Sequence, residues 1–150
     1  MNFTNKNQFD EQISNRVNNN SFKPDPPQRN FSNANLPVMQ KTAEAYKLWH
    51  NILPHIQRLT RYSLGEKINN LLIELAELIF TAGFSAKEDK AVIIKKASLK
   101  LDLLKFFIQI AWELKALDNK KFAELSAPLV EIGKMLGGWQ KQLIKEFPRS

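Results

Sequence analysis

The side chains that could do chemistry are few, and their spacing argues against most of it. The only histidines, His50 and His55, stand five residues apart, off the four-residue step that sets two zinc ligands on one helix face. Glu74 and Glu77 share a helix face, as many solvated pairs do, and no Glu-x-x-His partner accompanies them to suggest a di-iron bundle. Cysteine is absent, which removes disulfides, thiolate metal sites and cysteine nucleophiles together. The glycines stand singly or within helical pattern rather than between a strand and a helix, so no loop is built to cradle phosphate with backbone N–H groups. The sequence therefore predicts no enzyme, no metal and no cofactor.

What remains is cationic. The formal charge is +7 and the pI about 9.7, a balance that attracts polyanions without specifying which. Residues 1–35 hold four basic and three acidic side chains and residues 36–150 eighteen and twelve, so the excess belongs to the second segment. Lys87, Lys90, Lys95, Lys96, Lys100 and Lys105 punctuate one helical stretch, and Arg58, Arg61 and Lys67 cluster earlier. Such a one-sided distribution fits phosphate-backbone contact, and no base-reading motif accompanies it. An ordinary solvated lysine face is the other reading of the same residues.

These cations must be held by helices, because no segment alternates with a strand period. Met1 to Asn35 carries ten asparagines and three prolines, too little apolar surface to offset chain entropy, and reads as a disordered tail before a folded domain at 36–150. Its scattered Phe3, Phe9, Ile13, Val17, Phe22 and Phe31 could alternatively form a docking motif.

From Leu36 the apolar spacing gives four helices. The first runs from Val38 to Leu59 with Pro54 kinking or ending it, and a break is expected at Leu59 to Tyr62. Ser63 with Glu66 and Ser85 with Glu88 have capping-box spacing and should open the second and third helices, the third reaching Leu117. Asp118 or Asn119 caps the fourth, which Pro128 should bend and Pro148 finish. Short connections make this an up-down-up-down antiparallel four-helix bundle.

Two features ask for contacts beyond a simple bundle. Gly133, Gly137 and Gly138 interrupt the seam Phe122, Leu125, Leu129, Ile132, Leu136, Trp139, Leu143. Each interior glycine costs a helix about 1 kcal/mol against alanine, so the three are expected where a backbone packs closely, with Trp139 as a core or subunit-contact aromatic. The third helix carries two apolar stripes, and Leu103, Phe106, Phe107, Ile110, Trp112 and Leu114 leave most of its second half apolar. A helix apolar nearly all round is buried nearly all round, which predicts a homo-oligomer interface there. No apolar run reaches the roughly 18 residues of a membrane span, no signal peptide opens the chain, and a soluble, cytoplasmic protein is expected.

Four runs carry a resemblance: RYSLGEKI at Arg61 to Ile68, FTAG at Phe80 to Gly83, LDLLKFFIQIA at Leu101 to Ala111, and EIGKMLGGW at Glu131 to Trp139. Together they resemble the accessory variability determinant proteins of diversity-generating retroelements, four-helix bundle relatives of proteins encoded in intervening sequences of bacterial 23S ribosomal RNA genes. The resemblance covers about Leu36 to Leu143 and omits the tail. It implies a homopentameric ring without an active site that binds the element's reverse transcriptase and RNA or DNA and supports mutagenic copying of a template. By motif, Arg61, Lys105 and Lys134 are carried over as contact residues; the charge pattern adds Arg58, Lys67, Lys95, Lys96 and Lys100. The alternatives are a protein of the ribosomal intervening-sequence type, or an oligomeric interaction scaffold that binds no nucleic acid.

Overall fold

The computed structural model describes residues 36–146, and every element among them is helical. Helix α1, Leu36–Ile52, forms because Val38, Thr42, Ala45, Trp49 and Ile52 fall on one face, all of it buried. Thr42, the one buried polar residue among those described, donates its hydroxyl to the Val38 carbonyl at 2.7 Å, so it brings no unsatisfied group into the core. Pro54 ends the helix through a tight 3-10 turn, Leu53–His55, after which Ile56 and Gln57 are extended.

The first break thus falls at Ile56 and Gln57 rather than at Leu59 to Tyr62, and the chain is helical again from Arg58. The turn Arg58–Thr60 and a π-helical turn, Arg61–Gly65, run directly into α2, Glu66–Phe84. Ser63 caps nothing: it lies inside this helical run and donates its hydroxyl back to the Leu59 carbonyl at 2.9 Å. Pro54 has already broken the helix upstream, so the capping-box spacing of Ser63 and Glu66 meets no free helix end. The wide turn absorbs one extra residue, and Gly65 makes room for it: a Cβ there would lie 3.0 Å from Leu53 Cδ1 and 3.4 Å from the Thr60 carbonyl oxygen.

A second start signal is also reassigned. Ser85 donates its hydroxyl to the Thr81 carbonyl at 2.7 Å and so closes α2, while Ala86 occupies the cap position of α3, Lys87–Glu113, without a side-chain cap. Helix α3 stops before the expected Leu117. Lys115 adopts a left-handed φ of 61°, its N–H bonds the Trp112 carbonyl, and the Ala116 N–H bonds that of Ala111. This is the paired closure usually made with glycine, here made by lysine, so no glycine marks the stop.

Asp118 caps α4, Asn119–Glu146, as expected, with Oδ1 accepting the Lys121 N–H at 2.7 Å. The helix continues through a buried Pro128; Pro148 and the predicted tail lie outside the described residues. Each helix packs on two others, α1 against α2 and α4, and α3 against α2 and α4. That is the up-down-up-down bundle, its core built from Ile68, Leu72 and Leu75 of α2, Ile94, Leu104 and Ile108 of α3, and Leu125, Leu129 and Ile132 of α4.

Candidate nucleic-acid interface

The bundle distributes the expected cations over two seams and one end. Lys100 Nζ bonds Glu74 of α2 at 2.8 Å, and Lys67 lies 6.0 Å from the centre of the Phe107 ring of α3, so both belong to the α2/α3 seam. Lys105 points the other way: its Nζ lies 3.5 Å from where a Gly133 Cβ would stand, on the α3/α4 seam. Lys95 joins that seam through a cleft of about 500 Å³ that it lines with Lys87, Glu88, Ala91, Gln140, Leu143 and Ile144. Lys96, about 100° further round the helix, faces the α2 side.

Ion pairing decides which of these charges remains available. Among the described residues, no ion pair engages Arg58, Lys67, Lys95, Lys96 or Lys105. Lys100 is neutralised by Glu74, and Lys134, though exposed, leans on Glu131 at 3.6 Å. Surface pairs of this kind are worth only about 0–1 kcal/mol, so phosphate could compete for both, but at a cost the unpaired lysines avoid.

Arg61 has a different task. Its Nη2 donates to the carbonyls of Pro54 and Ile56, each at 2.9 Å, and its Nε to Ile56 at 3.3 Å. The guanidinium thereby satisfies acceptors stranded by the broken helix and fixes the turn below Arg58, Leu59 and Tyr62. The sequence carried no signal for this, because the acceptors appear only once the break is placed at Ile56.

The apolar residues expected at an oligomer interface divide likewise. Leu103, Phe106 and Leu114 are exposed, Ile110 is half-buried, and with Val92 and Leu99 they form a line on the outer face of α3, opposite its buried stripe. Phe107 instead lies under Lys67, and Trp112 stacks on Phe122 at 5.2 Å and donates Nε1–H to Asn119 at 2.7 Å.

The glycines separate as well. Gly133 meets Leu101 of α3, at 3.4 Å from an ideal Cβ, whereas Gly137 and Gly138 have nothing within 4 Å. The contacts at Gly133 are side-chain ends at ordinary packing distance, so the expected close backbone approach is found at none of the three glycines within the protomer, and Trp139 is half-buried beneath Lys90, whose Nζ lies 5.6 Å from its ring centre. Replacing Gly137 and Gly138 by alanine should raise the unfolding free energy by roughly 0.5–1 kcal/mol each, since helix propensity improves and nothing is displaced. Chemical denaturation checks this; a loss of stability would mean that the open face is occupied.

Among the described residues, no three of His, Cys, Asp and Glu are grouped to hold a metal ion, and no helix is long and apolar enough to cross a membrane. Fold and surface together define an all-α four-helix bundle protein with basic seams flanking an exposed apolar ridge. A family model described as bAvd-like matches residues 36–143. The chain belongs to the bAvd-like family, of the accessory variability determinant type that its motifs resemble. No curated protein matches it.

Proposed function

We propose that this protein is a non-enzymatic accessory factor of a diversity-generating retroelement. It acts as a homo-oligomer, a pentameric ring on the resemblance, and holds the element's reverse transcriptase together with template RNA or its cDNA during mutagenic copying. Beyond family membership, the observation that carries the reading is the set of unpaired cations, Arg58, Lys67, Lys95, Lys96 and Lys105, arranged along seams and at one end.

Ammonium groups spaced along a rigid helix seam suit a phosphate backbone, whose charges repeat at similar intervals, and they recognise shape and charge rather than bases. Repetition around a ring multiplies a weak contact: once one subunit holds the strand, its neighbours engage at high effective concentration. A bundle that binds polymerase and template at once raises their encounter without any chemistry of its own.

Affinity capture of the tagged protein from its native host, with bound proteins identified by mass spectrometry and bound RNA by sequencing, tests this. A reverse transcriptase and one dominant non-coding RNA are expected. Ribosomal RNA with no polymerase would instead support the intervening-sequence alternative, and neither partner on an intact oligomer would support the scaffold.

A further inference from the structure

The corner between α3 and α4 carries more than a turn needs. A cleft of about 580 Å³ opens there, lined by Trp112, Glu113, Lys115, Leu117, Asp118 and Asn119. Phe122 covers one face of the Trp112 ring, with centroids 5.2 Å apart and planes 27° from parallel, and the Asn119 amide oxygen accepts the indole N–H at 2.7 Å. The indole is still 39% exposed and lines the cleft, from which Phe122 is absent, so its free surface faces the opening. A ring held from behind and along one edge needs no further ordering when another ring is laid on it.

The acids of this corner are engaged and its cations are open. Glu113 accepts the Gln109 side-chain N–H at 3.1 Å, and Asp118 accepts the Lys121 backbone N–H at 2.7 Å. Lys115 and Lys121 enter no ion pair among the described residues, and the exposed Lys120 reaches Glu124 only at 4.0 Å. Lys115 is the telling residue. Its φ of 61° is left-handed, and glycine would hold the same closure without a Cβ to accommodate. What lysine adds there, at the expense of backbone strain, is an ammonium in the cleft that Trp112 lines.

We infer that this corner holds one nucleotide of a single strand, its base laid on the Trp112 ring and its phosphate on Lys115, with Lys120 and Lys121 beside the onward backbone; this rests on the nucleic-acid reading above. Every base has a π face, so the stack tolerates any sequence. A base inside a duplex has both faces taken, and the corner therefore favours unpaired template over duplex. Helices that run up, down, up and down put the α1–α2 and α3–α4 turns at one end, so the same end of the bundle also carries Arg58.

Two fluorescent strands of equal length separate stacking from charge in anisotropy titrations of the full chain: a mixed-sequence RNA, and a strand in which stable abasic ribose units replace every nucleotide. Trp112→Leu should weaken the RNA by about tenfold and leave the abasic strand within about twofold, and Trp112→Phe, which restores a ring, should recover most of the loss. Lys115→Gly, which keeps the turn, should weaken both strands alike by about threefold and lower the salt slope by about 0.7. Unchanged RNA affinity in Trp112→Leu, or equal losses on both strands, would overturn the stacking. A smaller assembly of that variant in light scattering would overturn it too, by placing Trp112 in a subunit contact. Polyglutamate bound as tightly as RNA, and weakened as much by Lys115→Gly, would overturn the nucleotide in favour of an acidic protein segment. Wild-type protein that binds neither strand at the lowest salt would overturn the nucleic-acid reading itself.

Discussion

Replacing Trp49 by alanine should lower the unfolding free energy by about 3–5 kcal/mol, the largest loss expected from any single truncation in this bundle. Trp49 is 0% exposed in the second half of α1 and fills the space between the helices with the largest side chain of the core. Domains of this size are stable by only about 5–15 kcal/mol, so the variant sits near the edge of folding. The same residue carries an unmet demand: its Nε1–H is buried without a hydrogen-bond partner, which costs about 1–3 kcal/mol. Trp49→Phe removes that donor and leaves a modest void, two effects of opposite sign and similar size, so it should fall within about 1 kcal/mol of the wild type. Denaturant midpoints at unchanged slope separate the two. If phenylalanine proved as damaging as alanine, the indole N–H would be shown to have a partner.

The second large effect falls on binding. With Arg58, Lys95 and Lys105 all changed to glutamine, affinity for RNA should drop by about a hundredfold at physiological salt. Each lost phosphate contact removes about 0.7–0.9 from the log–log salt slope, worth about 1 kcal/mol at that ionic strength, and three together make about two orders of magnitude. Lys100→Gln supplies the comparison, because its ammonium already bonds Glu74 at 2.8 Å. It should weaken binding by no more than about threefold. Equal losses for Lys95→Gln and Lys100→Gln, measured by fluorescence anisotropy, would contradict the distinction between paired and unpaired lysines.

What could be read in advance, and what could not, follows from the range of each interaction. Helix periodicity is a sum over many residues, so the buried faces of α2, α3 and α4, the order of the four helices and the Asp118 cap were all legible. Boundaries depend on single residues whose neighbours in sequence do not reveal their state. Ser63 and Ser85 both stand at capping-box spacing, yet each hydroxyl bonds a carbonyl of the preceding turn, Ser63 because the chain is still helical there and Ser85 because it closes α2. Lys115 takes a conformation usually left to glycine, so no glycine marks the end of α3. At the site, the lysines were legible as a set, but their sorting into seams depends on α2 bringing Glu74 to Lys100 and α4 bringing Gly133 to Lys105, which are tertiary facts. Arg61 shows the limit most clearly: its charge and motif pointed outward, and the broken helix turned it back onto its own backbone.

Binding of a single-stranded RNA to the intact protein, measured from low to moderate salt, tests the central claim most directly. With several of the candidate cations in no ion pair among the described residues, the logarithm of the association constant should fall linearly with the logarithm of salt, at a slope of about −3 or steeper, with little dependence on base sequence. A flat dependence, or no binding at the lowest salt by a protein that is folded and assembled, would contradict it and leave the lysines as a solvated surface.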